Sequence, residues 1–365
     1  MADRNGERLA GADGNDLPEH GGAGHTRHVS EIQITLAGIR NTRSILGDRI
    51  HHTPLLSSAT AARVVGTTSG IRLADDRLYL KAEHLQKTGS FKPRAALARI
   101  SSLTPEERRR GAITISAGNA GQAYAWAARE AGVPMTVVMP EAAVASKVAA
   151  CIDYGAEVVL HGKHVGESLE HLELLRRERG LALVHPYDDP EVLLGNGSCG
   201  LEILEDLPDV DVVVVAVGGG GLMGGVTVAL RESRPGIRVY GVEPTGSDAL
   251  RQAMAAGEPV RITPSSVADG LGAPSAGRLA TVIALRYLED LVVLQDAAIL
   301  AGLRFSVERL KQVLEPAGAA ALAAVLAGAV PLRDGDRVCV ILSGGNVAVE
   351  RLGELLAAAG PLPAR

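Results

Sequence analysis

The sequence predicts an α/β protein whose strands are mainly parallel, and three observations support this prediction. From Ile32 onward, short runs of β-branched residues alternate with longer runs rich in alanine and leucine, a pattern typical of strand–helix–strand units. The 365 residues are 46% hydrophobic, which is enough for two packed domains with cores of their own. No segment of roughly 20 to 50 residues repeats, so solenoids and propellers are excluded.

Each element follows from a local pattern of apolar and turn-forming residues. The most apolar run, Val210–Val217, contains Asp211 and ends in glycines; it is far shorter than the roughly 20 residues that cross a membrane and predicts a buried strand. The predicted strands are Leu78–Lys81, Ala112–Ser116, Met135–Met139, Glu157–Leu160, Val210–Val217, Val239–Glu243 and Arg337–Leu342. Helices are predicted in the intervals, among them Asn119–Ala131, Ala145–Tyr154, Val165–Arg179 and Asn346–Ala358.

The distribution of apolar residues predicts how the chain is divided. Residues 1–29 are rich in glycine, aspartate, asparagine and histidine, and we expect a disordered N-terminal arm because they cannot bury enough apolar surface. The histidines of this arm are irregularly spaced, so no metal site is predicted there. The strands and helices of residues 111–187 predict a small domain inserted between the two parts of a larger domain, residues 30–110 and 188–365.

Charge and composition exclude several classes of partner. The chain has 37 lysines and arginines against 42 aspartates and glutamates, with no long block of either sign, so binding to nucleic acid is not expected. Only 2% of the residues are aromatic, too few for a base-stacking platform or a membrane belt. The three cysteines lie far apart and the N-terminal residues lack an apolar run, so we expect a reducing, cytoplasmic location.

A glycine-rich loop follows the predicted valine strand and precedes a predicted helix. The consecutive glycines Gly218–Gly221 allow backbone N–H groups to converge on an anion at a helix N-terminus, so a phosphate site is predicted. Gly219, Gly221 and Gly224 also satisfy the GxGxxG pattern, and Glu243 lies 19 residues further on, where dinucleotide folds place the acid that binds ribose. Taken alone, the loop favours a nicotinamide-dependent dehydrogenase.

A second segment favours a different cofactor. Lys92 follows a Thr-Gly-Ser turn and is predicted to begin an alanine-rich helix beside a phenylalanine, a setting expected to lower the pKa of its amine and to suit Schiff-base chemistry. Two further strand ends open onto helices, Ser116–Gln122 and Leu342–Asn346, at the edge where open α/β sheets bind ligands. Asn119 and Ser343 offer neutral hydrogen-bonding groups there.

Together these segments resemble the fold-type II pyridoxal-phosphate enzymes, and within them the branch of threonine/serine dehydratases and serine racemases. The resemblance extends from about His52 to Val347 and implies two open, twisted, mainly parallel sheets with flanking helices. It also implies that the glycine loop binds the single phosphate of pyridoxal 5'-phosphate rather than a pyrophosphate. The matching segments are TGSFKPR at Thr88–Arg94, SAGNAGQ at Ser116–Gln122, MPEAAVASK at Met139–Lys147, HPYDDPEVLLGNGSCGLEI at His185–Ile203, GGGGL at Gly218–Leu222, VEP at Val242–Pro244, ADGL at Ala268–Leu271, EPAGA at Glu315–Ala319 and LSGGN at Leu342–Asn346.

The resemblance also implies roles for individual residues. Lys92 would bond covalently to the cofactor and act as the catalytic base. Ser343 would meet the pyridine nitrogen, and because its hydroxyl is neutral, the ring should favour β-elimination over transamination. The implied cofactor-binding residues are Phe91, Lys92, Asn119, Gly218, Gly219, Gly220, Gly221, Leu222, Glu315 and Ser343. The implied substrate-binding residues are Ser90, Ser116, Ala117, Gly118, Asn119 and Ala120.

Three departures from the family pattern bear on the activity. Ala120 stands where many relatives have histidine, which removes one polar contact to a substrate carboxylate. Ala117 stands where racemases have a serine that protonates the α-carbon from the far face, which favours a dehydratase over a racemase. Ala249 stands where the racemase pattern has an acidic cation ligand, and the neighbouring Asp248 is expected to cap a helix, so no metal is assigned.

The sequence thus predicts a pyridoxal-phosphate-dependent ammonia-lyase that converts L-threonine or L-serine to a 2-oxo acid and ammonia. A homodimer is implied by the resemblance alone. Other 3-hydroxy amino acids, such as 3-hydroxyaspartate or phenylserine, stay open as substrates because spacing does not fix pocket shape. Serine racemase, β-replacement of the cysteine synthase kind, a non-catalytic binding protein and an NAD-dependent dehydrogenase stay open as alternatives. Nineteen residues follow Asn346, so no appended regulatory domain is expected.

Overall fold

The computed structural model describes residues 34–361. The predicted disordered arm, residues 1–29, lies outside the described residues. Within them, no helix is long and apolar enough to cross a membrane. The α/β class predicted from the sequence is confirmed by the ten strands and fourteen α-helices of residues 34–361.

Two separate sheets organise the fold. The strands in chain order are β1 Leu55–Ser58, β2 Leu78–Lys81, β3 Ala112–Ile115, β4 Met135–Met139, β5 Glu157–Leu160, β6 Ala182–Leu183, β7 Val212–Ala216, β8 Arg238–Pro244, β9 Asp290–Leu294 and β10 Val338–Ile341. The larger sheet has the order β1-β2-β10-β7-β8-β9 and the smaller sheet has the order β5-β4-β3-β6. Every neighbouring pair is parallel except β1 and β2. The carboxyl ends of the parallel strands therefore meet at one edge of each sheet.

Helices cover both faces of the larger sheet. The helices are α1 Leu36–Leu46, α2 Ala59–Ser69, α3 Lys92–Ser101, α4 Pro105–Arg110, α5 Asn119–Ala131, α6 Ala145–Asp153, α7 Val165–Arg179, α8 Pro190–Asp206, α9 Gly221–Ser233, α10 Ala249–Ala256, α11 Arg278–Tyr287, α12 Asp296–Phe305, α13 Pro316–Leu326 and α14 Val349–Ala358. Along β7, Val212 and Val214 pack into one apolar core and Val213 and Val215 into another. A strand buried on both faces reads as a continuous valine run, which explains its composition.

The local predictions succeeded where the pattern was long or strongly apolar. Predicted strands β2, β4 and β5 and predicted helices α5 and α7 have the expected bounds. Three strands, β1, β6 and β9, were not predicted, because β6 has two residues and the other two lie at the edges of the larger sheet. The last helix begins at Val349 rather than Asn346, because the Asn346 side chain bonds to the loop around Thr88. The domain boundaries stay a prediction.

Glycines let the helices around Lys92 pack closely. On α8, a Cβ at Gly195 would overlap the Arg94 carbonyl of α3. On α9, a Cβ at Gly225 would overlap the Leu193 carbonyl of α8. Because any side chain at these two positions would push the backbones apart, α3, α8 and α9 form one tightly packed layer that fixes the start of α3.

A buried ion network holds the first turn of α3. The Arg94 guanidinium is fully buried and donates to both oxygens of Glu83 at 2.7 and 2.8 Å and to both oxygens of Glu202 at 2.6 and 2.7 Å. Lys81, also fully buried, lies 2.8 Å from Glu202 and donates to the Thr53 carbonyl at 2.7 Å. Rotating α3 about its axis would break all four bonds of the arginine fork, so the network fixes the direction in which Lys92 leaves the helix.

Candidate active site

The residues predicted to carry chemistry converge at the carboxyl edges of the two sheets. The chain leaves β2 through two short turns before Lys92 begins α3, leaves β7 at the glycine loop, and leaves β10 at Ser343. The smaller sheet contributes Ser116 and the start of α5, which follow β3. Loops at this edge of parallel sheets are the usual place for a ligand site.

Lys92 is the first residue of α3 and its amine is withdrawn from bulk water. Its Nζ donates to the Pro186 carbonyl at 3.2 Å and lies 4.9 Å from the centre of the Phe91 ring. Burial lowers the pKa of Lys92 to about 8, although attraction to the Glu315 carboxylate opposes this effect. A lysine with this pKa is partly unprotonated near neutral pH, so it can act as a nucleophile or a base.

The glycine loop presents a row of unpaired amides. Among the described residues, the backbone N–H groups of Gly218 to Leu222 find no hydrogen-bond acceptor. These groups lie at the start of α9, where the helix dipole favours an anion. Gly220 has a φ of 86°, a left-handed conformation that side chains rarely adopt, and a Cβ at Gly219 would overlap the Tyr187 ring. The loop therefore needs glycine to expose its amides.

A carboxyl group and two amide side chains join three loops of the site. Asn119 donates from Nδ2 to Glu315 Oε1 at 2.6 Å, and Asn346 donates from Nδ2 to Asn119 Oδ1 at 2.9 Å. Glu315 is buried at the start of α13, and burial, with a smaller contribution from Asp269, raises its pKa to about 7. The carboxyl group can therefore hold a proton near neutral pH.

Two buried hydroxyl groups lie on neighbouring loops. Ser90 is fully buried, and within the described range its Oγ has no hydrogen-bond partner. Ser343 is also buried, and its Oγ makes one long contact of 3.5 Å to the Ala317 carbonyl. The Phe91 amide donates to the Ser343 carbonyl at 3.1 Å, so the two loops run side by side. An unpaired buried hydroxyl is costly unless a ligand satisfies it.

The start of α5 offers a second set of unpaired amides. The N–H of Gly118 donates to Ser116 Oγ at 3.2 Å, whereas the N–H groups of Asn119, Ala120 and Gly121 have no acceptor among residues 34–361. Ala117 is partly buried and presents only its methyl group to the core of the smaller sheet. The site thus holds two helix N-termini that can each bind an anion.

Glu243 does not fit the role that a dinucleotide fold would give it. Its side chain is fully buried, and its two oxygens accept hydrogen bonds from the amides of Leu250 and Arg251 at 2.8 and 3.0 Å. Burial raises its pKa to about 8. The carboxyl group therefore caps α10, the role expected of Asp248, whose own carboxylate accepts from Gln252 instead. This arrangement removes the main support for a nicotinamide cofactor.

Sequence reasoning gave no role to two residues that contact the site. His185 and Tyr187 lie between β6 and α8, in a segment quoted above only for its resemblance. The Tyr187 ring packs on Gly219, and the ring centres of His185 and Tyr187 are 4.6 Å apart in an edge-to-face arrangement. The resemblance of the segment His185–Ile203 to the family was the available signal.

These groups fit a phosphorylated cofactor that carries a reactive carbonyl. The free amides of the glycine loop suit a phosphate, Lys92 suits a covalent bond to the carbonyl, and the unpaired hydroxyl of Ser90 can hydrogen-bond to a polar ligand. The class of protein that this fold and site define is therefore a pyridoxal-phosphate enzyme.

Comparison with known proteins agrees with this class. The model of the family described as "pyridoxal-phosphate dependent enzyme" matches residues 48–344, and the chain belongs to this family. It is 38% identical to an L-threonine ammonia-lyase of Thermotoga maritima over 88% of this chain and 78% of the relative. It is 34% identical to an L-threo-3-hydroxyaspartate ammonia-lyase of Saccharomyces cerevisiae, over 89% of this chain and 97% of the relative. Maize serine racemase has a similar structure, with a TM-score of 0.82 and 32% identity. The match covers 88% of this chain and 97% of the racemase chain.

The contact between Gly219 and Tyr187 gives a prediction for cofactor affinity. Gly219→Ala should raise the Kd for pyridoxal phosphate by about tenfold or more, because the new methyl group displaces the ring or the loop that presents the amides. Titration of the apoprotein, followed by absorbance, measures this change. Gly236→Ala is the matched control, since a Cβ at that exposed glycine meets nothing within 4 Å. Equal affinities for the two variants would show that the loop tolerates a side chain.

Proposed function

We propose that this chain is a pyridoxal-phosphate-dependent ammonia-lyase that removes water from a β-hydroxy amino acid. L-threonine and L-serine are the first candidate substrates. The proposal is carried by Lys92, whose pKa is lowered to about 8 by burial, together with the unpaired backbone amides of the glycine loop. Relatives named for lyase activity toward threonine support it. The yeast relative supports 3-hydroxyaspartate as the second candidate substrate.

The cofactor would be held by groups from both sheets. The amides of Gly218 to Leu222 would bind its phosphate, and Phe91 would pack against its ring. Asn119, held by Glu315 and Asn346, would offer its amide to a ring oxygen. When bound, pyridoxal phosphate links to the substrate amine and withdraws electrons from Cα. Ser343, as a neutral partner of the ring nitrogen, would keep that withdrawal moderate, which favours elimination.

Lys92 would serve twice in the reaction. Its amine would first hold the cofactor and then, once the substrate amine has taken its place, accept the proton from Cα at Nζ. The β-hydroxyl takes up one proton as its bond to Cβ breaks and leaves as water, and Lys92 gives up the proton that it accepted, so the substrate loses one water in all. Hydrolysis of the resulting enamine then gives the 2-oxo acid and ammonia, so atoms and charges balance. The pKa of about 8 suits a base that works near neutral pH.

The substrate carboxylate would bind at the start of α5. The unpaired amides of Asn119, Ala120 and Gly121 form an anion site there, and Ser116, Gly118 and the buried Ser90 would line the same pocket. Because Ala120 cannot contribute a polar side chain, the backbone amides would carry this contact. The phosphate and the carboxylate would then occupy two different helix N-termini.

Ala117 bears on the choice between elimination and racemisation. Racemisation needs a proton donor on the face of Cα opposite Lys92. The methyl group of Ala117 cannot supply one, so the activated substrate should lose its β-hydroxyl rather than be reprotonated. We expect the wild-type enzyme to form D-amino acid at least about 100-fold more slowly than 2-oxo acid, the smallest advantage usually given by a positioned acid or base.

Ala117→Ser should increase the formation of D-amino acid because it places a hydroxyl where racemases of the family have a serine. Chiral chromatography of the products from the L-amino acid measures the ratio of D-product to 2-oxo acid. Ala255→Ser, on an exposed position of α10, is the control and should leave the ratio unchanged. D-product from the wild type at a rate similar to that of 2-oxo acid would contradict the role given to Ala117.

A substrate panel tests the proposed function. The cofactor-loaded protein is incubated separately with L-threonine, L-serine, L-threo-3-hydroxyaspartate and L-phenylserine, and the release of 2-oxo acid is measured. We expect the highest kcat/KM for threonine or serine. Preference for hydroxyaspartate would favour the second candidate, whereas release from none of the four would contradict the lyase proposal.

We also propose a cytoplasmic homodimer. The resemblance to the family supports the dimer. The cytoplasmic location is supported by Cys151, Cys199 and Cys339, which are all buried and free of disulfides. Burial raises the pKa of the Cys151 thiol to about 11, so it is not a reactive thiolate. The mass in solution by light scattering tests the dimer, and a monomer at micromolar concentration would contradict it.

A further inference from the structure

The imidazole of His185 organises a tight turn beside the site. Its Nδ1 accepts hydrogen bonds from the backbone N–H groups of Tyr187 and Asp188 at 3.3 and 2.8 Å. A nitrogen that accepts two N–H groups carries no proton, so the ring proton lies on Nε2. The Tyr124 hydroxyl donates to the His185 carbonyl at 2.7 Å and fixes the start of the same turn.

This turn contacts the site at two places. The Pro186 carbonyl accepts the hydrogen bond from Lys92 Nζ at 3.2 Å. The Tyr187 ring covers Gly219 in the phosphate loop and packs edge-on against the His185 ring. One turn of three residues therefore touches both the amine that would hold the cofactor and the loop that would hold its phosphate.

We propose that His185 is a positioning residue: by accepting two backbone amides at Nδ1, it holds the turn that places the Pro186 carbonyl on Lys92 and the Tyr187 ring on the glycine loop. The proposal rests on the function proposed above for Lys92 and the loop. It assigns His185 no contact with substrate and no transfer of a proton.

The surroundings of His185 keep the ring in the accepting state. Burial is the main cause that lowers its pKa, and the positive charge of Lys92 acts in the same direction. The carboxylates of Asp188 and Asp189 act in the opposite direction but leave the pKa below its ordinary value. The neutral ring is the form that can accept at Nδ1.

Two substitutions of His185 distinguish the roles of Nδ1 and Nε2. In His185→Asn, Oδ1 stands close to the place of Nδ1 and can accept the same two amides. In His185→Gln, the amide reaches towards the place of Nε2, and the two backbone groups lose their acceptor. The exposed His161 gives the control pair, His161→Asn and His161→Gln.

The measurements are the Kd of the apoprotein for pyridoxal phosphate, the pH midpoint of the visible absorbance of the bound cofactor, and kcat and KM for threonine. We expect the Asn variant to match the wild type within about threefold in Kd. We expect the Gln variant to lose about tenfold or more in Kd, to shift the pH midpoint and to lose kcat with little change in KM, since an unpaired buried amide disturbs the turn. The His161 variants should be unchanged.

Three results would overturn the proposal: equal losses of cofactor affinity in both His185 variants, wild-type affinity in both, or a loss of affinity confined to His185→Asn. If the Gln variant fails to fold, the Asn variant decides alone, because wild-type affinity without Nε2 supports the role of Nδ1 and a tenfold loss contradicts it. Cofactor affinity and the absorbance midpoint are measured without turnover. A failure of the proposed lyase activity is therefore distinguishable from a failure of this inference.

Discussion

Lys92→Ala should lower kcat by at least about 10⁴-fold, the upper end of what a single positioned base contributes, because the variant loses both the covalent link and the base. The visible absorbance of the lysine-bound cofactor should also disappear. The fold should survive, since alanine is a good helix former and the lysine amine makes one hydrogen bond within residues 34–361, to the Pro186 carbonyl. We expect a change of less than about 1 kcal/mol in the free energy of unfolding.

Lys87→Ala is the matched control for this prediction. Lys87 lies in the turn that precedes α3, and its amine rests over the Trp126 ring, 5.5 Å from the ring centre. The Lys87→Ala variant should have the kcat and the cofactor absorbance of the wild type. Borohydride treatment followed by peptide mass analysis should place the reduced cofactor on Lys92 in the wild type and in Lys87→Ala. Normal turnover by Lys92→Ala would refute its assignment.

Arg94→Met should lower the free energy of unfolding by about 3–5 kcal/mol, the usual cost of removing one partner from a buried ion network. The variant leaves the buried carboxylates of Glu83 and Glu202 without their guanidinium partner, and the buried Lys81 offsets part of their charge. The free energy of unfolding of Arg94→Lys should lie between those of Arg94→Met and the wild type, because an ammonium keeps the charge but loses the two-pronged geometry. Urea denaturation measures all three free energies.

Arg72→Met provides the comparison for an exposed ion pair. Arg72 bonds to Asp76, but its side chain is 80% exposed, so we expect a change within about 0.5 kcal/mol. If Arg94→Met is no more destabilising than Arg72→Met, the buried network does not hold α3. If Arg94→Met does not fold at all while Arg72→Met does, loss of Arg94 costs more than about 5 kcal/mol of the free energy of unfolding.

The parts of the site that could be predicted from the sequence are made by contiguous residues. The glycine loop and the turn before Lys92 are local structures, since a backbone anion site and a helix start are formed by neighbouring residues. The valine strand β7 was predicted for the same reason. The unpaired amides of Gly218 to Leu222 lie where the run of glycines placed them.

The partners of these groups could not be predicted, because they are distant in the chain. Glu315 is 196 residues from Asn119, and Glu202 is 108 residues from Arg94. The pKa of Glu315, raised to about 7, depends on burial that only the folded chain creates. No residue near His185 in sequence indicates that its ring would accept two backbone amides.

The edge strands show the same limit in the fold. In the described part of the chain β9 pairs with β8 alone, and it begins at an exposed Asp290, so its pattern is too weak to separate a strand from a loop. Glu243 illustrates the opposite error, because its spacing from the glycine loop matched a ribose-binding acid while the folded chain uses it to cap α10. Spacing gave its position but not its partners.

The products formed from L-threonine by the cofactor-loaded enzyme test the central claim most directly. We predict that each threonine consumed yields one 2-oxo acid and one ammonia, that D-amino acid does not accumulate at a comparable rate, and that Lys92→Ala yields neither product. Consumption of threonine without ammonia, or reduction of NAD during its consumption, would contradict the account.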